Sequence, residues 1–284
     1  MKDSVKTVAV LTPVIILIFL FFIYPIILTF QRSTRSLTGE DVGFERYSKV
    51  LSDPEFVNAF WFSMEIAVIS VMISIVIAVV TALALRDTFI GKRITLFMYQ
   101  TNIAMPHLAM ATIMLLLLAQ TGILSSFAYQ LGLIENWTDF PLIVKGYSSI
   151  GIIISYTLKF APFIGMAVLS VLISFSRDYE EQSSSLGVGR LRTLFYVTLP
   201  AIKPAIYLSS MIVFCFAFGS YDVPAVIGLK QTLPMLAYRY YNDPFSTDSM
   251  YDGYAVAMII AAITLTISTI YLYLAFSKKN GVKQ

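Results

Sequence analysis

An all-α protein that crosses a lipid bilayer six times is predicted, and three observations predict it. Of the residues, 57% are hydrophobic and only 13% charged, where a soluble domain carries about 25% charged residues. Mean hydropathy is +0.77. The apolar residues gather into runs long enough to cross about 30 Å of hydrocarbon as helices. Together these exclude a water-soluble enzyme built around one core. The single cysteine, Cys215, lies inside an apolar run. It allows no internal disulfide and no cysteine metal cluster, and reads as a small core residue.

The first span, Val8 to Phe30, lies in the charge-free stretch between Lys6 and Arg32. It is too long for a signal peptide and lacks a small-residue cleavage site, so it is expected to stay as helix 1. Further spans are expected at Phe62–Leu85, Leu96–Leu118, Ser148–Leu172, Ala205–Ile227 and Tyr254–Phe276. An even number puts both termini on one side, and positive residues decide which. One set of flanks holds Lys2, Lys6, Arg86, Lys92, Arg93, Arg177, Arg190, Arg192, Lys203, Lys278, Lys279 and Lys283. The opposite loops hold Arg32, Arg35, Arg46, Lys49, Lys145, Lys230 and Arg239. The larger set marks the cytoplasmic side, so both termini are predicted to be cytoplasmic. Outside, Gly39 to Asn58 is predicted to form a surface helix at the membrane interface before helix 2. Tyr238, Tyr240, Tyr241, Tyr251 and Tyr254 are expected to anchor that interface, or to face a partner protein. The whole chain, residues 1–284, reads as a single transmembrane domain.

No nucleotide-binding or metal-binding pattern is present. The Gly91-Lys92 pair is followed by Arg93 and lacks the first glycine of a phosphate loop. With one histidine, no His/Cys or His/carboxylate cluster has ligand spacing. No enzyme is predicted.

The most specific stretch is the inner loop Glu181 to Pro200, EQSSSLGVGRLRTLFYVTLP. Asp178, Glu180 and Glu181 sit where acids favour the positive end of a short helix. Gly187 and Gly189 permit a sharp turn. A second segment, Leu191 to Val197, follows Arg190. Pro200 and Pro204 are expected to end it and begin helix 5. The result is a compact knob that a cleft on another protein can grip. Glu181, Gly187, Val197, Leu199 and Pro200 fall in register with the pattern E-A-A, three residues, Gly, nine residues, Ile-x-Leu-Pro. The loop therefore resembles the EAA loop of binding-protein-dependent ABC importers, with Gln182 and Ser183 in place of the two alanines. The runs FGSYDVPAVIG and LPMLAYRYY look like permeases of the spermidine/putrescine-type branch.

That resemblance implies a type I importer permease fold in the plasma membrane of a prokaryote. It implies a second permease subunit, identical or different, two ATPase subunits and an extracellular substrate-binding protein as partners, within the lipid bilayer and with no nucleic acid. ATP and magnesium would be bound by the ATPases, leaving no cofactor in this chain. Docking residues would be Glu180, Glu181, Gly187, Gly189, Arg190, Leu199 and Pro200.

Ionisable residues within spans are costly in lipid and usually face a bundle interior or wet cavity. His107, Lys159, Tyr221 and Asp222 are therefore the candidates for a translocation pathway. Lys159 is also open to a structural ion pair, with Glu65 as partner, or to a polar seam against another subunit. His107 is open to a hydrogen-bonded packing role, and Asp222 to a helix-end role at the close of helix 5. Glu65 is expected at the outer headgroup level. The rival reading is a self-sufficient secondary transporter. The docking loop, the absence of an inverted repeat and the absence of interrupted paired helices speak against it. A scaffold with no transport role is the remaining alternative. The outer loops lean acidic, which suits a cationic solute or a basic binding protein.

Overall fold

The computed structural model describes residues 11–40, 42–87, 90–174, 182–183 and 185–276. Regular structure among them is helical. We number the helices α1 (Leu11–Ser33), α2 (Glu45–Ser52), α3 (Pro54–Arg86), α4 (Lys92–Ala104), α5 (His107–Leu118), α6 (Ile123–Gln130), α7 (Ile150–Ser174), α8 (Arg190–Gly219), α9 (Asp222–Ile227), α10 (Leu233–Tyr241) and α11 (Ser249–Phe276). Six stretches are long and apolar enough to cross a membrane: α1, α3, His107–Gln130 (α5 with α6), α7, α8 and α11. Closed backbone bonding within each segment is what lipid demands, because no water is available to satisfy exposed amides and carbonyls.

Contacts divide the chain into two units, residues 1–59 with 233–263 and residues 60–232 with 264–284. In the first, α2 is the short helix expected between Gly39 and Asn58. Its Arg46 is buried, and donates to Asp252 Oδ1 at 2.6 Å, Asp248 Oδ1 at 3.0 Å and the Arg35 carbonyl at 3.1 Å. Lys49 adds a 2.8 Å bond to Asp252 Oδ2. The tyrosines here are engaged by protein groups. Tyr240 donates to Asp53, the Arg46 guanidinium lies over the Tyr251 ring, and Tyr254 accepts from Arg32 at 2.9 Å. Helix α3 starts at Pro54, before the apolar run begins, because proline suits a first helical turn. The Asp53 carboxylate also accepts from the Glu55 amide at 2.9 Å.

The second unit is built on α7, which packs on α4, α5, α8 and α9. Its Gly165 leaves room for the Tyr99 ring of α4: a Cβ there would lie 3.1 Å from that ring, and in ordinary contact, at 3.6 Å, with the Ala78 carbonyl of α3. Small residues of α3 (Ala67, Ser70, Ser74, Ala78, Ala82) are all buried, as membrane helix contacts favour.

The spans at helices 2, 4 and 6 lie close to their predicted places; two others differ. The apolar run expected to be one helix from Leu96 to Leu118 is cut at Met105-Pro106, and the crossing segment starts at His107. Proline disfavours helical backbone at the residue before it, and Met105 is extended at ψ 134°. The expected helix Ala205–Ile227 ends at Gly219; Ser220 is extended at ψ 134° and α9 is separate. Asp222 therefore opens a helix instead of closing one, at the end where the dipole favours an acid.

Pro200 and Pro204 do not divide the inner segment from helix 5 as expected. Helix α8 runs unbroken from Arg190. A π-turn at Leu194–Thr198 absorbs Pro200, with the Leu199 amide reaching five residues back to Leu194. The same device occurs in α1, where the Tyr24 amide bonds to the Phe19 carbonyl one residue before Pro25. Proline clashes with the carbonyl four residues back, and one wider turn moves that carbonyl away. Breaks in helical backbone fall at Met105-Pro106, at Ala119–Gly122 and at Ser220.

Candidate functional site

Two places gather the predicted residues, both in the second unit. The first is a cavity of about 240 Å³ lined by Ile103, His107, Lys159, Phe160, Phe163, Ile212, Val213 and Phe216. It brings His107 and Lys159 together. Tyr221 and Asp222 are not among its lining residues, and both are exposed. His107 stacks on Phe216, with ring centroids 4.0 Å apart and planes 21° apart, and Phe160 closes the corner at 5.7 Å. Aromatic faces thus hold the imidazole.

Lys159 is 5% exposed and faces protein, not lipid. The ion pair with Glu65 does not form. Glu65 accepts from the Ser149 hydroxyl instead. The ammonium donates to the carbonyls of Asn102 at 2.6 Å, Ile103 at 3.2 Å and Met105 at 2.5 Å. These carbonyls lie at the C-terminal end of α4, the negative end of its dipole, where a cation is favoured.

The second place is the loop leading into α8. Glu180 and Glu181 lie outside the described residues, and so does Asp178. Gly187 has φ +77°, a backbone region that costs other residues and that glycine enters freely. The Val188 amide bonds back to the Ser183 carbonyl at 3.1 Å, which is the six-to-one closure of a Schellman turn with Gly187 at its left-handed position. The Ser183 and Thr193 hydroxyls meet at 3.0 Å across the turn, both buried. Ser183 stands where the family pattern has alanine, so here that departure ties the two limbs together.

The loop's outer face is apolar and basic. Leu186 is 83% exposed, Leu191 73%, Phe195 61% and Tyr196 79%, with Arg190 and Arg192 exposed among them. Leu186, Leu191, Phe195 and Tyr196 were not singled out from the sequence. Their signal was available: large apolar residues interleaved with basic and polar ones between two apolar runs. Leu199 is half-buried and Pro200 exposed.

With this geometry in place, comparison with known proteins assigns the class. Residues 71–281 match the family described as "Binding-protein-dependent transport system inner membrane component". The chain belongs to that family and is a multi-pass membrane protein, the permease subunit of an ABC importer. The sulfoquinovosyl glycerol transport system permease protein SmoG of Agrobacterium fabrum is 23% identical, over 97% of this chain and 92% of that protein. A homologue of the spermidine/putrescine transport system permease protein PotC in Mycoplasma genitalium is 24% identical, over 82% of this chain and 76% of that protein. Among solved structures, a bacterial alginate ABC transporter in complex with an alginate pentasaccharide-bound periplasmic protein matches with a TM-score of 0.74 and 15% identity. That match covers 99% of this chain and 97% of that one, and gives the type I permease fold. The family match separates this chain from a secondary transporter.

Proposed function

We propose that this chain acts as one permease domain, one half of the translocation pathway, and that the loop at about residues 177–204 docks a separate ATPase. The supporting observation is the exposed apolar and basic face of Leu186, Arg190, Leu191, Arg192, Phe195 and Tyr196 on a turn fixed by Gly187 and the Ser183–Thr193 clamp. Aromatic and arginine side chains in one patch are the composition of a protein interface. Glu180, Glu181, Gly189, Leu199 and Pro200 complete the docking segment. Its partners are a second permease, two ATPases that bind ATP and magnesium, and an extracellular binding protein. The setting is a prokaryotic plasma membrane, with both termini cytoplasmic. ATP-driven closure of the ATPases pulls on the docked loops and rocks the permeases between outward- and inward-facing states.

The cavity beside His107 and Phe216 belongs on the route in this reading, with Tyr221 and Asp222 nearer its outer end. For the solute we put a polyamine-like cation first, on the runs FGSYDVPAVIG and LPMLAYRYY. The acidic lean of the outer loops adds little to this. Asp53, Glu55, Asp248 and Asp252 are already bound to Tyr240, Arg239, Arg46 and Lys49. Purification of the full chain with its membrane partners tests the assignment: an ATPase co-purifies if the loop docks one, and its absence would overturn the docking role of the loop. Ligand screening of the binding protein encoded beside this chain tests the solute.

A further inference from the structure

We infer that Lys159 supplies the hydrogen bonds that Pro106 withholds, and is a positioning residue for the broken helix instead of a contact for the transported solute. In an unbroken helix the Asn102 carbonyl would accept from the amide of residue 106, and the Ile103 carbonyl from that of residue 107. Residue 106 is proline and has no amide. Met105 and Pro106 are both extended, at ψ 134° and 145°, so the chain leaves the helical path and the last carbonyls of α4 are stranded. The Met105 amide covers part of the deficit, reaching Thr101 at 3.1 Å and Asn102 at 3.3 Å. The Lys159 ammonium covers the rest.

An ammonium has three protons and no acceptor capacity. All three are matched by the Asn102, Ile103 and Met105 carbonyls, at 2.5–3.2 Å. None is left over for a solute in the adjoining cavity, which Lys159 helps to line. The lysine comes from α7, the element that packs on both α4 and α5, so its side chain ties the end of α4 to the helix against which both halves of the break rest. The first residue beyond the break is His107, whose ring is stacked on Phe216 across the cavity. Holding Asn102 to Met105 therefore sets where His107 stands. Non-helical backbone at membrane depth is tolerated where protein groups satisfy it, and here the satisfying group is a charge whose burial would otherwise be costly. Each half of the pair explains the other.

The test is a cycle of Lys159→Met, Pro106→Ala and the double variant. It is carried out on the full chain with its co-purifying subunits in lipid nanodiscs, and followed by hydrogen exchange of the peptide over residues 100–110. Lys159→Met is expected to raise exchange there by about tenfold or more, the loss of a charge-assisted bond, while peptides of α3 and α11 stay unchanged. Pro106→Ala restores an amide opposite Asn102, so the same Lys159→Met change on that background is expected to be several-fold smaller. If Lys159→Met abolishes assembly, Pro106→Ala is expected to recover it. An equal effect of Lys159→Met on both backgrounds, or no recovery, overturns the inference. So does unchanged exchange with a shifted half-saturation for transport, which would make Lys159 a solute contact.

Discussion

Replacing Gly187 by valine isolates the loop's shape from its surface. The glycine sits at φ +77°, and a Cβ built on it would meet nothing within 4 Å. The cost is therefore conformational and not steric crowding: about 1–3 kcal/mol for holding a non-glycine residue in a sparsely populated backbone region, toward the upper end for a β-branched one. That is roughly a 5- to 150-fold loss in the ratio of closed to open turn. The spans are fixed by lipid and by their own packing, so insertion and expression are expected to match the wild type. The Val188–Ser183 closure and the Ser183–Thr193 contact are expected to loosen, misplacing Leu191, Phe195 and Tyr196. The assay is the ATPase-to-permease ratio after affinity purification, paired with uptake in cells. Gly187→Asn serves as control, because asparagine tolerates the left-handed region better, and should fall between. Full ATPase recovery and normal uptake with Gly187→Val would refute the docking role of the turn.

Tyr196→Asp removes an exposed ring without touching the turn; the expected result is normal yield with at least severalfold weaker ATPase recovery, read by the same pull-down. Arg46→Met leaves Asp252 buried beside Lys49 alone and is expected to destabilise the first unit by about 3–5 kcal/mol, measured as a fall in thermal midpoint. Hydrogen bonding from Arg46 holds the Asp248 carboxyl below its ordinary 3.8. A depressed folded-state value adds stability above the unfolded value that is lost as pH falls through the folded one. The wild-type midpoint should therefore drop as pH falls below about 4, and less steeply in Arg46→Met; parallel pH profiles would contradict the pairing. Reporter fusions after Gln284 and within residues 120–146 should report cytoplasm and exterior respectively, and an external C-terminus would overturn both orientation and docking.

The existence of the membrane crossings was legible in the amino-acid sequence, because lipid imposes a length and an apolarity that local composition alone can meet. So was the glycine of the inner turn, whose need for positive φ is a property of one residue type at one position. Proline's identity is equally local, yet its consequence was not. Pro200 and Pro25 are absorbed by π-turns and the helix runs on, whereas Pro106 breaks the chain. At the Pro106 break the Asn102, Ile103 and Met105 carbonyls are met by Lys159, which comes from another helix. Arg46 makes the same point: it lies in a stretch that reads as a polar surface helix and is buried because Asp248 and Asp252, some two hundred residues away, close over it. Hydropathy and turn chemistry act over a few residues and can be read along the chain. The destination of a buried charge depends on which distant groups the fold brings within hydrogen-bonding distance, and only the tertiary structure decided that.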